Sequence, residues 1–194
     1  SIEVELLDKE GMVGYGRVTG AVLARAHART GDASLVSGYL VAIVSIAWTA
    51  SAVLVAGADE RHDPRIIAIG IAVVAGSVAL SIHAVPQGPL WLVGLAMLME
   101  GAGYGMAWTF ILRRGGRLVA AGDDERFAAA LPTVGRLGYA LGASFVGILA
   151  NRAGFAEAAG PAEMQQVARA IFAGSLPVAV LGCLAMTRFV TARR

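Results

Sequence analysis

One acidic side chain, Glu100, lies in an apolar stretch that otherwise has no charge, "LAMLMEGAGYGMAW" (residues 95–108). Tyr104 and Trp108 follow it at intervals of four residues, so the three side chains share one face if the stretch is a helix. A carboxyl group on such a face can carry a proton, because burial favours its neutral form and a nearby cation favours its charged form. The spacing predicts a polar, aromatic face on an apolar helix.

A second isolated charge, Arg136, lies in "ALPTVGRLGYALGASFVGILAN" (residues 130–151), with Tyr139 on the same helical face. If both stretches cross a bilayer, Glu100 and Arg136 lie about 15 and about 14 Å deep in a core of about 30 Å. A charge at that depth costs about 3 kcal/mol and needs a partner. Two interpretations follow. The pair lines a solute path in which Glu100 carries a proton, or it is a static ion pair that holds two helices together.

The composition indicates that lipid is the main solvent of this chain. Of its 194 residues, 57% are hydrophobic and 15% are charged, and the mean hydropathy is +0.67. Ordinary soluble domains are nearer half apolar and a quarter charged. The single cysteine, Cys183, excludes an internal disulfide and a cysteine-based zinc site. No metal or other cofactor is expected.

Long uncharged stretches predict an all-α bundle of about five transmembrane helices. Runs this long must be helices in lipid, because a barrel would show alternating segments of about ten residues. Glycine pairs at four-residue spacing, such as Gly101 with Gly105 and Gly138 with Gly142, predict close helix packing. The predicted spans are residues 35–57, 66–85, 90–112, 127–150 and 171–190 of a transmembrane domain covering 34–194.

Two further segments do not fit this pattern of spans. Residues 1–33 lack an uncharged run of membrane length, which predicts an atypical amino-terminal segment: a helix remnant, an interfacial helix or a disordered stretch. Their missing initiator methionine suggests a chain that is incomplete or altered at its start. Residues 156–170 predict a short surface helix that leads into the fifth span.

Arginine placement predicts the orientation of the helices. The connections after the first and third spans and the carboxyl-terminal tail hold nine arginines, against two on the opposite side. By the positive-inside rule, the connections that hold the nine arginines face the cytoplasm, and the carboxyl terminus lies on the same side. The predicted membrane is the cell inner membrane. The net charge of +2 then reflects topology, and no nucleic-acid partner is expected.

The segment "GADERHDPRIIAIG" (residues 57–70) resembles a short cytoplasmic loop motif of the major facilitator superfamily. The helices around it are similar to the carboxyl-terminal half of bacterial permeases or efflux-like transporters of that superfamily. The resemblance implies a six-helix half of which one helix is missing, and a partner in the form of an amino-terminal transporter half. The loop residues that match the motif are Gly57, Asp59, Arg61, Arg65 and Gly70.

These observations predict a fragment of a secondary active transporter that moves a small organic solute across the membrane, with proton coupling at Glu100. The candidate residues are Glu100, Arg136, Tyr104, Trp108 and Tyr139. The alternative is a non-transporting membrane subunit, such as an assembly or regulatory protein, in which the charges only hold helices together. An enzyme is not expected, since no Gly-x-Ser-x-Gly or His-Glu-x-x-His pattern occurs.

Overall fold

The computed structural model describes residues 33–120 and 122–192, with side-chain environments from residue 38 onward. The chain divides into two compact units, residues 1–41 and 42–194. The described part of the first unit is helical and forms the start of the first helix. The predicted atypical segment, residues 1–33, lies almost entirely outside the described residues.

The described residues contain five long α-helices and no strand, as the sequence predicts. Each helix is long and apolar enough to cross a membrane. A short 3₁₀ helix, Glu60–His62, precedes the second α-helix. The α-helices are α1 (Ala33–Val55), α2 (Asp63–Gln87), α3 (Leu90–Leu118), α4 (Asp124–Arg152) and α5 (Pro161–Thr191).

The break between α2 and α3 falls where the sequence places it, in "VPQGP" (residues 85–89). Gly88 ends α2 and donates its backbone N–H to the carbonyl of Ala84 at 2.9 Å. A Cβ at this position would lie 2.6 Å from the same carbonyl oxygen. Glycine therefore allows the chain to turn sharply before Pro89 precedes α3.

The short surface helix predicted over residues 156–170 is part of α5, which begins at Pro161 and runs unbroken through the fifth predicted span to Thr191. Its start is well defined: the Glu163 carboxylate accepts backbone N–H groups of Ala159 at 2.6 Å and Gly160 at 2.7 Å. Pro161 needs no helical N–H at this position. Polar residues lower the local hydropathy of the first turns but leave them helical.

Helix α2 lies at the centre of the second unit and packs against both α3 and α5. Its contact with α3 is a backbone approach: a Cβ at Gly70 would lie 2.6 Å from the carbonyl oxygen of Gly103, and a Cβ at Gly103 would lie equally close to that of Gly70. Ile67 and Phe110 are among the few large side chains that are fully buried. Small residues thus replace a bulky core, as in helix pairs that associate in lipid.

Helix α1 packs against the opposite flank of α3, through residues from Ala42 onward. Gly101 lies against the backbone of Val44, and Gly105 lies against the carbonyl of Trp48 and the hydroxyl of Ser51. Any side chain at these two glycines would overlap α1. The predicted close packing at Gly101 and Gly105 is present.

Helix α4 is the least covered of the five, with no buried residue among those described. It packs against α5 near their shared turn. Added Cβ atoms at Gly138 and Gly142 would meet nothing within 4 Å in the described part of the chain. Among the described residues, this second glycine pair therefore does not make the helix contact that its spacing predicts.

Candidate functional site

An aromatic face surrounds Glu100 in the middle of α3. Tyr104 lies one turn further along the helix, and Trp48 of α1 stacks on it, with ring centroids 5.5 Å apart and an interplanar angle of 17°. Trp108 continues the stripe and is partly exposed. We call Trp48, Glu100, Tyr104 and Trp108 the mid-helix face. It joins the predicted α3 residues to one aromatic residue, Trp48, that the sequence did not single out.

The carboxylate of Glu100 is half-buried and has no ion-pair partner among the described residues. The phenol of Tyr104 is close enough to interact electrostatically with both Glu100 and Tyr139 of α4. Tyr104 thus has an electrostatic interaction with one predicted residue of α3 and one of α4.

The structure does not bring Glu100 and Arg136 into an ion pair within the described ranges. Their levels in the bundle differ. The ring of Phe127 lies against Gly115, and Glu100 lies fifteen residues from Gly115, whereas Arg136 lies nine residues from Phe127. At 1.5 Å per residue these distances are about 22 Å and about 14 Å. Measured along the helices, the pair predicted to share one depth is thus offset by six residues, about 9 Å or just over one and a half helical turns.

A second polar centre, at one end of the bundle, surrounds the carboxylate of Asp63. This side chain is 0% exposed and forms ion pairs with Arg113 and Arg117 of α3. Arg113 also donates through Nε to Asp63 at 3.2 Å and through Nη2 to the carbonyl of Ala58 at 3.1 Å. Arg117 has a second carboxylate partner in Glu60. We call Glu60, Asp63, Arg113 and Arg117 the end cluster.

The neighbouring arginine, Arg114, ties the same end of α3 to the end of α5. Its guanidinium donates to the carbonyl oxygens of Phe189 at 3.2 Å, Val190 at 2.9 Å and Ala192 at 2.8 Å. Because these carbonyls lie at the end of α5, no following helical turn supplies backbone N–H groups to them. The start of α2 and the ends of α3 and α5 therefore meet at one end of the bundle.

The predicted loop motif divides into parts with different environments. Asp59 and Arg61 form an exposed ion pair at 3.1 Å, and Gly57 and Arg65 lie on the surface. Gly70 belongs to the interior of α2, where it packs on α3. The buried acid of this segment is Asp63, which was not among the predicted residues.

One signal in the sequence could have indicated the end cluster. Arg113 and Arg117 are four residues apart in the last turns of α3 and therefore share a face. Asp63 stands directly before Pro64, at the start of a helix where an acid is favoured. The pairing of these arginines with Asp63, 50 and 54 residues away in the sequence, depends on the packing of α2 on α3, which local spacing does not reveal.

The geometry defines a class: a bundle of five helices able to cross a membrane, with one aromatic face around an acid and one charged end. A family described as "Uncharacterized protein conserved in bacteria (DUF2252)" matches residues 1–64, a third of the chain. No curated protein and no solved structure matches significantly.

The predicted relationship to the major facilitator superfamily is wrong, because the family match is to DUF2252 and no profile of that superfamily matches. The loop motif that carried the resemblance consists of a few glycines, acids and arginines between two helices. Such residues recur at the cytoplasmic ends of unrelated membrane helices, because turns need glycine and the positive-inside rule favours arginine.

Proposed function

We propose that this chain is an integral membrane protein of the cell inner membrane that forms part of a secondary active transporter for a small organic solute. In this proposal the end cluster and the carboxyl terminus face the cytoplasm, and Glu100 couples transport to protons. The observation that carries the proposal is the position of Glu100: midway along an apolar helix, half-buried, beside aromatic rings, and with no ion-pair partner in the described part of the chain.

An acidic side chain at this depth has an unfavourable free energy of insertion, which favours a functional role for it. An unpaired charge near the centre of a bilayer costs about 3 kcal/mol on insertion scales, so acids there face protein or a water-filled cavity and mark solute or proton pathways. A carboxyl group that changes between its neutral and charged forms as its surroundings change can couple a proton to a movement. The adjoining Tyr104 is 39% exposed, so the mid-helix face is accessible from outside the described helices, which supports this role for Glu100.

The uncovered face of α4 supports a larger functional unit. Arg136 and Tyr139 are exposed on this helix, and no described residue forms an ion pair with Arg136. A second helical unit that covers α4 would enclose the space beside Glu100. Transport sites commonly lie near the midplane between two such units. We therefore expect a partner half, on the same chain or on another.

The test is proton movement in proteoliposomes that contain the full protein, with a pH-sensitive dye inside. Organic cations, organic anions and neutral solutes are added separately. We expect one class to drive proton flux and Glu100→Gln to abolish it. Glu163→Gln serves as a matched control, because Glu163 caps α5 far from the mid-helix face. Absence of solute-driven flux with all three classes contradicts the proposal.

The alternative function, a non-transporting membrane subunit, is favoured by the end cluster. Every charged group of the end cluster has an ion-pair partner, as expected if these charges only hold helices together. The variant Glu100→Gln separates the two functions. If the charges only hold helices together at the end cluster, the protein inserts into the membrane and shows no proton flux with either side chain at position 100. Proton coupling at position 100 requires the carboxyl group, so the flux would be present in the unaltered protein and lost in the variant. Membrane insertion and proton flux of both proteins are the measurements.

A further inference from the structure

The mid-helix face combines one carboxylate with a preformed aromatic stack. Gly101 and Gly105 let the backbone of α1 lie directly on α3, which sets the position of Trp48 over Tyr104. The hydroxyl of Ser51 donates to the carbonyl of Trp48 at 3.0 Å, within the same contact. The position of the stack is therefore set by backbone contacts between α1 and α3.

The charge of this face selects the ligand. In its ionised form Glu100 contributes a negative charge that no cation of the described residues balances. The π faces of tryptophan and tyrosine attract cations and do not attract anions. A small metal ion would require several oxygen ligands, whereas this face offers one carboxylate and one phenol. An organic cation fits both the acid and the rings.

Arg136 does not fill this role within the chain. It lies on α4, about 9 Å nearer the end cluster than Glu100 when measured along the helices, and forms no ion pair with any described residue. Its positive charge acts against a cation at the mid-helix face. Removing that charge should leave cation binding unchanged or strengthen it.

We propose that Glu100 and the stacked Trp48–Tyr104 pair form a binding site for an organic cation. This inference deepens the proposed function and rests on it for the claim that the bound cation is transported. Binding itself requires no gradient, so it can be measured separately from transport. The cation would lie against the aromatic stack with its charge directed to the carboxylate.

The test uses two ions of nearly equal size and opposite charge, tetraphenylphosphonium and tetraphenylborate. Binding to the full protein in detergent is measured by equilibrium dialysis and by quenching of tryptophan fluorescence. We expect saturable binding of tetraphenylphosphonium alone. Glu100→Gln should raise its Kd about tenfold, in keeping with loss of one charge contact, while Glu100→Asp should retain most of the affinity.

A tryptophan pair provides the second arm of the test. Trp48→Leu should raise the Kd several-fold, whereas Trp91→Leu should have no effect, since Trp91 is 69% exposed at the start of α3. Gel filtration in detergent shows that each variant is folded. Equal binding of the two ions, or an unchanged Kd in the folded Glu100→Gln protein, overturns the inference.

The two proposals fail in different ways. Selective cation binding without proton flux removes transport and leaves the binding site in place. Proton flux driven by an anion or a neutral solute, with no selective cation binding, supports transport and overturns the cation site. Weaker cation binding in Arg136→Gln would also overturn it, because the site would then require that positive charge.

Discussion

At the scale of single residues, the two acids Asp63 and Glu100 differ in burial and in ion pairing. Asp63 is completely buried and has two arginine partners, whereas Glu100 is half-buried and has none among the described residues. A paired buried acid holds structure together, because removal of either partner leaves a charge without compensation. An acid without an ion-pair partner can bind a cation, or bind and release a proton. The two acids are therefore expected to respond differently to substitution.

Replacing Asp63 with asparagine should destabilise the bundle by about 2 kcal/mol, because Arg113 and Arg117 lose their shared buried counter-charge. The partial exposure of both arginines keeps the effect below that of a fully buried pair. The measurement is thermal unfolding in detergent. The reaction of Cys183 with a thiol-specific dye reports the fraction of unfolded protein at each temperature.

The matched control for this prediction is Asp59→Asn. Asp59 pairs with Arg61 at 3.1 Å, but both side chains are largely exposed, so the change should be below about 0.5 kcal/mol. Equal unfolding temperatures for the two variants would show that the end cluster does not stabilise the fold.

At the scale of helices, the contacts that set the architecture are made by glycine. Gly101 and Gly105 receive α1, and Gly103 receives α2 at Gly70. The three glycines of α3 thus serve two neighbours, since residues 101 and 105 lie on one flank and residue 103 on another. The glycines of α4 have no such role within the described residues.

Gly105→Ala should destabilise the protein by about 2 kcal/mol, because the new methyl group overlaps the Trp48 carbonyl and forces α1 away from α3. Gly138→Ala should be neutral or slightly stabilising, since its Cβ meets open space and alanine favours helix. Unfolding temperature and tryptophan fluorescence report both. A larger loss in the Gly138 variant would contradict this packing and would indicate an unseen partner on α4.

The sequence predicted helices well and their partners less well. Long uncharged runs locate α1 to α4 because hydropathy and helix length are local properties. The sequence predicts the fifth span only from residue 171, because Glu163 and Arg169 lower the hydropathy of the first turns of α5 without interrupting the helix.

The candidate residues show the same division. Four-residue spacing correctly placed Tyr104 beside Glu100, since both lie on one helix. Trp48 and Asp63 were missed because their partners lie on helices distant in sequence. Which helices meet is decided by glycine contacts such as those at Gly70 and Gly103, and many arrangements of five helices are compatible with one pattern of apolar residues.

At the scale of the whole molecule, the described surface is rich in large apolar side chains. They are exposed along all five helices, and exposed apolar patches mark contact with lipid or protein. The buried set consists mainly of glycine, alanine and serine. This distribution is compatible with helices that lie in a membrane.

The proposed orientation predicts the outcome of reporter fusions. A fluorescent protein fused after residue 192 should fold and fluoresce in cells, while alkaline phosphatase fused there should be inactive, because both remain in the cytoplasm. Insertion of each reporter at Gly88, between α2 and α3, should give the reverse. The expressed protein should also stay in the membrane fraction after alkaline carbonate washing. A monodisperse protein in detergent-free buffer would contradict the membrane assignment.

Helix α3 is bound at both its middle and its end. Gly101 and Gly105 fix its rotation against α1, and Arg113, Arg114 and Arg117 fix it again against α2 and α5. One residue added or deleted between these groups would rotate the arginines by about 100°. Helix α3 could then not make its glycine contacts with α1 and its arginine contacts with α2 and α5 at the same time. The spacing between the glycines and the arginines should consequently accept exchanges of residue type but no change of length.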